Sequence, residues 1–334
     1  MDDEAFSPPT PVLGPARPGL TWPGHKPMPS RLYLGTSSWN FPGWHQLVWD
    51  AHATESLLAR EGLTAYSRHP LLRSVGIDRT FYAPIEAEVY RRYASQVDQD
   101  FRFLVKAPSI VTDAMTRDAE GRSRPNERFL DAEHARACFI EPCLKGLGEK
   151  AGVLLFQCSP MPASMLARIC TQPAQFTQRI ARFFSALPAP ADLGAPSTCY
   201  ALELRNTELL TPRLIAALRE GNARLGIGLH PRMPPIARQA SALAALDGDT
   251  PRGPLVIRWS LLPGMAYEEA RQRFAPFKRL VVPDPHTRQG IADLAVTYLR
   301  AHQPVHIIVN NKAEGSAPRS LVALAEVIAR GLEH

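Results

Sequence analysis

The chain has 334 residues, of which 45% are hydrophobic and 21% are charged, enough apolar material to fill a substantial core. No apolar run reaches the ~18 residues that a membrane helix needs, so we expect a soluble protein with no membrane partner. The net charge of +6 favours anionic ligands slightly, and alone it is too small to indicate a nucleic-acid partner.

The N-terminal segment differs in composition from the rest of the chain. Residues 1–30 carry eight prolines, too many for a helix or an interior strand, which predicts a flexible Pro-rich tail. The acidic start, Met1 to Glu4, lacks the pattern of a secretory signal, so we expect a cytoplasmic protein. The remaining residues, 31–334, are predicted to form one domain.

Short apolar runs alternate with segments at helical spacing from residue 31 onward. Eight strands are predicted, at 31–37, 72–78, 101–106, 152–157, 199–205, 224–230, 255–259 and 305–310. Several of these runs do not alternate polar with apolar residues, which is typical of parallel strands buried on both faces. The number of strands is the first indication of the fold class.

Predicted helices separate the strands, at 55–66, 84–97, 127–147, 163–187, 212–221, 236–246, 266–277 with 287–302, and 318–332. Eight such α/β units predict a single (β/α)8 barrel of the TIM type, whereas a doubly wound open sheet would show the same local pattern. Polar residues at the strand ends favour the barrel, because a barrel brings those ends to one mouth.

Five segments carry a resemblance to a known family. They are Leu34 to Trp44, Thr80 to Tyr82, Phe101 to Pro108, Leu202 to Arg205 and Val309 to Asn311. Together they resemble the domain-of-unknown-function 72 family, the YecE-like proteins, over residues 31–332. The resemblance implies a barrel and no established reaction. The family usually has a glutamate where this chain has Gly76, and a histidine where it has Asp113.

Two strand-end residues are the candidate catalytic groups, Glu203 and Lys106. Glu203 and Arg205 are two residues apart on one predicted strand, so they share a face and would combine an acid or base with an anion clamp. Lys106 ends an apolar strand, where burial would lower its pKa. It is interpreted as an anion-binding lysine, and a Schiff-base nucleophile or a structural ion pair remains open.

The candidate substrate-binding residues also follow strand ends: Trp39, Asp78, Tyr82, Gln157, Arg205, Arg258, Asn310 and Asn311. Arginine suits planar anions, and the aromatic residues would stack on a ring. Each type also has a structural interpretation. Arginines neutralise buried carboxylates, asparagines make ordinary turns, and aromatic residues cap the core.

Motif searches exclude several kinds of site. The sequence lacks the glycine-rich phosphate and dinucleotide loops, and no histidine spacing indicates a metal, so no cofactor and no metal site are predicted. The favoured function is a metal-independent enzyme acting on a small phosphorylated or carboxylated compound. The alternatives are a non-catalytic barrel that binds nucleic acid or another anion, and a metal-dependent phosphoesterase. The oligomeric state is not predicted.

Overall fold

Parallel strands form the centre of the computed structural model, which describes residues 14, 21–118 and 120–334. The strands are β1 (Leu32–Thr36), β2 (Ser74–Ile77), β3 (Arg102–Lys106), β4 (Met115–Arg117), β5 (Ser123–Pro125), β6 (Ala151–Gln157), β7 (Cys199–Glu203), β8 (Arg224–Leu229), β9 (Leu255–Trp259) and β10 (Val305–Val309). All except β4 and β5 close into a barrel in the order β1-β10-β9-β8-β7-β6-β3-β2.

The predicted TIM-type barrel is therefore confirmed, and the open sheet is excluded. Predicted and observed barrel strands agree within two residues at every end, and the two-residue differences are at the start of β2 and the end of β7. The antiparallel hairpin of β4 and β5 was not predicted, because three-residue strands are too short to show a period.

Helices surround the barrel. They are α1 (Glu55–Ser67), α2 (Ala87–Ala94), α3 (Ser109–Thr112), α4 (Ala132–Ala135), α5 (Glu141–Leu147), α6 (Ala163–Thr171), α7 (Pro173–Ala186), α8 (Pro212–Glu220), α9 (Ile236–Asp247), α10 (Tyr267–Phe274), α11 (Pro285–Arg300) and α12 (Ala317–Glu333). The helix predicted at 163–187 is split, since Pro173 lacks an N–H and starts a new helix. The helix predicted at 127–147 contains a π-helical turn at Arg136–Ile140.

Most of the predicted flexible tail, residues 1–30, lies outside the described residues. Residues 21–30 have no helix or strand. Within them the indole Nε1 of Trp22 donates to the Lys26 carbonyl at 3.0 Å, and the Trp22 ring packs against the core. The described end of this segment thus contacts the barrel domain.

Three apolar clusters are present among the described residues: two layers of the barrel and a small cluster of Leu261, Met265, Ala270 and Phe274 around α10. The larger layer lies between the strands and the helices. The smaller layer fills the barrel interior and consists of Leu104, Val153, Leu155, Ala201, Val256 and Ile308, all buried. This interior layer supports the charged groups described next.

Candidate functional site

Four polar residues at the barrel mouth each lie two positions after a residue of the interior layer on the same strand. The pairs of interior and mouth residues are Leu104 and Lys106, Leu155 and Gln157, Ala201 and Glu203, and Val256 and Arg258. Because alternate residues of a strand face the same side, these four side chains face inward at the carboxyl ends of β3, β6, β7 and β9. Active sites of TIM-type barrels form at this end.

An ion-pair network occupies the mouth. Arg258 Nη1 lies 3.3 Å from Glu203 Oε2, and Arg258 Nη2 lies 2.9 Å from Asp78 Oδ2. Arg205, two residues beyond the end of β7, forms a salt bridge with Glu203. Gln157 Oε1 accepts from Arg258 at 3.0 Å and from Arg205 at 3.2 Å. Glu203 and Gln157 therefore hold both guanidinium groups in fixed positions.

Glu203 has no exposed surface. Burial by itself would raise the pKa of its carboxyl group, but the charges of Arg205, Arg258 and Lys106 outweigh burial and hold that pKa below its ordinary value. A carboxylate stabilised in this way is a weak proton acceptor. We therefore interpret Glu203 as the residue that positions the two arginines.

Gly228 on β8 makes room for this pair. A Cβ atom at this position would lie 2.8 Å from Arg205 Nη1 and 3.1 Å from Glu203 Cγ, closer than side chains normally approach. The backbone of Gly228 is itself fixed by the Gln239 side chain, through two hydrogen bonds of 3.0 Å. No signal in a single sequence distinguishes this glycine from the others, so it was not predicted.

Lys106 differs from the arginines in having no ion-pair partner among the residues that the structure describes. Its Nζ lies 3.5 Å from the centre of the Phe81 ring, and its side chain is 8% exposed. Thr80 Oγ1 donates to the Lys106 carbonyl at 2.5 Å and fixes the strand end. Burial, helped by the positive charge of Arg258, lowers the pKa of Lys106 to about 8.

A second buried lysine, Lys312, also faces the mouth. Its Nζ lies 4.2 Å from the centre of the Tyr267 ring. Burial and the charge of Arg271 lower its pKa to about 8, and Asp78 acts against that shift. Lys312 directly follows Asn310 and Asn311 but was not predicted, since it lies two residues beyond the predicted strand at 305–310.

The mouth carries an excess of positive charge. Among the groups that act on one another there, five cations outnumber four carboxylates: Lys106, Arg205, Arg258, Arg271 and Lys312 against Asp78, Asp113, Glu203 and Glu268. His230 adds no charge near neutral pH, since burial and Arg205 lower its pKa to about 4. An anion entering the mouth would therefore be attracted.

Besides Lys106, four of the predicted site residues lie outside the ion-pair network. Trp39 is 6% exposed, donates from Nε1 to the Leu58 carbonyl at 3.1 Å and packs in the core. Tyr82 is 85% exposed. Asn310 Nδ2 donates to Ser37 Oγ at 2.8 Å. Asn311 Oδ1 accepts from Trp44 Nε1 at 3.2 Å and from the backbone N–H of Ala317 at 2.8 Å, a structural role at the start of α12.

The two departures from the family pattern have local consequences. A Cβ at Gly76 would lie 3.2 Å from the backbone of Ser37, so the position is already crowded by the residue that follows strand β1. Asp113 is partly buried, and burial raises the pKa of its carboxyl group. Its Oδ1 has no hydrogen-bond partner within the described part of the chain.

The described residues include no group of three or more His, Cys, Asp or Glu side chains placed to hold a metal ion. The positive charge at the mouth comes instead from lysine and arginine side chains. None of the helices in the described ranges is both long enough and apolar enough to cross a membrane.

Comparisons with known proteins agree with the fold. The family model "Protein of unknown function DUF72" matches residues 33–333. A DUF72 family protein of Thermotoga maritima aligns with a TM-score of 0.55 and 15% identity, over 91% of this chain and 99% of that one. One from Enterococcus faecalis aligns with a TM-score of 0.53 and 20% identity, over 91% of this chain and 96% of that one. A search of curated proteins found no match.

Proposed function

This chain belongs to the DUF72 family, a family of proteins of unknown function, and we propose that its barrel mouth is the active site of an enzyme for a small phosphorylated or carboxylated compound. The proposal rests on Lys106. It is a buried lysine whose pKa is lowered to about 8, and it has no ion-pair partner among the described residues. A cation that is costly to bury and is left unpaired at a barrel mouth is typical of a functional group.

Substrate binding follows from the charge excess. The ammonium group of Lys312 offers three donors to an anionic oxygen, and protonated Lys106 adds three more, whereas neutral Lys106 leaves the anion to Lys312. Arg205 and Arg258 are already paired with carboxylates, so they contribute mainly through their fixed positive field. Because the groups are buried, this field is screened less by salt than a surface charge would be. The expected partner is thus a small anion, and the reaction requires no metal held by the protein.

Proton transfer is the chemistry that Lys106 supports best. With a pKa of about 8, about a tenth of its amine is neutral at pH 7, compared with well under a thousandth for an exposed lysine. The lone pair of neutral Nζ takes a proton from the bound substrate, which gains negative charge. Arg258 and Lys312 stabilise that charge, and the ammonium later returns the proton.

Selective acylation tests this proposal without knowledge of the substrate. Methyl acetyl phosphate is an anionic reagent that acetylates neutral amines near anion sites, and peptide mass spectrometry reports each lysine separately. At pH 7.5 we expect Lys106 to react at least ~10-fold faster than exposed Lys145. Inorganic phosphate should protect Lys106 and leave Lys145 unaffected. Equal rates at the two lysines, or no protection by phosphate, would refute the proposal.

Activity measurements provide a second test. In a screen of sugar phosphates, nucleotides and small carboxylic acids, a substrate turned over by the native protein should be turned over at least ~100-fold more slowly by Lys106→Met. Lys145→Met is the matched control and should retain full activity. A Lys106→Met protein with unchanged turnover would remove Lys106 from the mechanism.

One observation favours the alternative of a barrel that binds single-stranded nucleic acid without catalysis. Among the described residues, two large aromatic side chains are exposed, Tyr82 at 85% and Tyr267 at 60%, and both follow barrel strands at the mouth. Such rings can stack on bases. This alternative predicts that a labelled oligonucleotide binds at low salt, and that its affinity falls steeply as salt rises. No binding at low salt would exclude it.

We also propose a cytoplasmic location. Cell fractionation with an antibody against the protein tests it. Recovery in the membrane or extracellular fraction would contradict it.

A further inference from the structure

Asp78 is the member of the ion-pair network that is open to solvent. Its side chain is 34% exposed, whereas Glu203, Arg205 and Arg258 are buried. Both of its carboxylate oxygens accept from one nitrogen, Arg258 Nη2, at 2.9 and 3.1 Å. An ionised carboxylate can accept about four hydrogen bonds. Within the described part of the chain no other side chain donates to Asp78, so acceptor positions remain for a ligand.

The two buried lysines lie on either side of Asp78. Around the barrel the strand order is β10, β1, β2, β3, and Lys312, Asp78 and Lys106 stand at the carboxyl ends of β10, β2 and β3. Lys106 rests on the ring of Phe81, whose N–H donates to the Asp78 carbonyl at 3.1 Å. Lys312 rests on the ring of Tyr267, and burial and the charge of Asp78 raise the pKa of that tyrosine. Asp78 is thus linked to the surroundings of both lysines.

The distances across this part of the mouth suit a small molecule. Neighbouring strands are ~4.8 Å apart, so the ends of β3 and β10 are separated by roughly 14 Å along the wall and by less straight across the mouth. Cα atoms of β2 and β10 come within 8 Å of one another across β1. Both lysine side chains extend toward the mouth, which shortens the distance between their ammonium groups further. A short carbon chain that starts at Lys312 therefore passes Asp78 on the way to Lys106.

We propose that the substrate is a hydroxylated acid, a polyol phosphate or a hydroxycarboxylic acid, whose anionic group binds Lys312 and whose hydroxyl group donates to Asp78. A carboxylate repels a second anion, so the group that contacts Asp78 is a neutral donor. An anionic group held at Lys106 would keep that lysine protonated, so the anion is placed at Lys312 and neutral Lys106 takes the proton. This inference rests on the proposed function, since it names the substrate class of the same site.

Calorimetric titration with n-propyl phosphate and glycerol 1-phosphate tests the inference, because the two probes differ only in hydroxyl groups. The native protein should bind glycerol 1-phosphate at least ~10-fold more tightly than n-propyl phosphate. In Asp78→Ala this affinity ratio should fall to about one. Loss of Asp78 also frees Arg258 to attract both probes, so the ratio of affinities is the quantity that reports on the hydroxyl contact.

Three further variants complete the test. Lys312→Met should weaken the binding of both probes at least ~10-fold and leave their ratio unchanged. Asp249→Ala is the matched control, since Asp249 is an exposed aspartate after α9, and it should leave both affinities unchanged. Asp78→Asn keeps the shape of the side chain and serves if Asp78→Ala does not fold. Its ratio should fall at least ~3-fold, because a neutral amide oxygen accepts more weakly than a carboxylate.

The outcomes separate this inference from the proposed function. A native ratio near one, or a high native ratio that the Asp78 variants leave unchanged, would overturn the hydroxylated substrate and leave the anion site standing. Affinities that Lys312→Met leaves unchanged would overturn the placement of the anion, and so would the absence of binding by both probes. Failure of the proposed function has a different signature: Lys106 would be acetylated no faster than Lys145, or phosphate would not protect it, and this inference would fall with it.

Discussion

Replacing Glu203 by glutamine tests whether this buried carboxylate holds the mouth together. At an effective dielectric constant of ~20, a charge pair 3.3 Å apart, as for Arg258 and Glu203, gains about 5 kcal/mol. The ion pair between Arg205 and Glu203 adds a similar gain. The free energy needed to remove the three charged groups from water offsets much of the gain from the two ion pairs. Because Glu203→Gln leaves two buried arginines with one fewer carboxylate, we expect a loss of about 3 to 5 kcal/mol in the free energy of unfolding.

Urea unfolding monitored by circular dichroism measures this loss. Glu88→Gln is the control: Glu88 pairs with Arg91 on the surface at 2.6 Å, and its removal should cost well under about 1 kcal/mol. Because the folded pKa of Glu203 lies below its ordinary value of 4.5, its ion pairs stabilise the protein fully above that pH and are lost as pH falls through the lowered pKa. A loss below about 1 kcal/mol at pH 7, or a loss that shrinks between pH 7 and pH 5, would refute the reasoning.

Three further variants test other parts of the structure. Lys106→Met should raise the free energy of unfolding at pH 7 by about 2 to 3 kcal/mol in a urea titration, because the lowered pKa means that the buried ammonium destabilises the fold below pH ~8. His306→Phe should flatten the pH dependence of stability between pH 6 and 4 by about 1.4 kcal/mol per pH unit: burial lowers the pKa of His306 to about 3, so only the unfolded chain gains that proton. Asn311→Ala should reduce the free energy of unfolding by about 1 to 3 kcal/mol, seen as a lower melting temperature, because Trp44 Nε1 loses its acceptor. The phosphate affinity of this variant, measured by calorimetry, should stay unchanged. A lower free energy of unfolding in Lys106→Met would contradict the first expectation. An unchanged pH dependence of stability in His306→Phe would contradict the second, and a loss of phosphate binding in Asn311→Ala would contradict the third.

The sequence by itself determined the barrel and the position of its mouth. Buried parallel strands read as unbroken apolar runs, and eight of them were identified within two residues of their observed ends. Because a barrel brings the carboxyl ends of its strands to one mouth, the predicted strand ends placed Lys106, Gln157, Glu203 and Arg258 there. Both signals are local, so a single chain carries them.

Only the tertiary structure decided which charges meet. Arg258 pairs with Asp78 and Glu203, residues 180 and 55 positions away, while Lys106 has no ion-pair partner among the described residues. The pKa of Lys106 depends on burial and on charges from other strands, which no local pattern encodes. Asn311 resembled a mouth residue in the sequence, yet its amide serves Trp44 and the start of α12. Pairing across the barrel and burial depend on how distant segments close in space, and sequence periodicity carries no information about either.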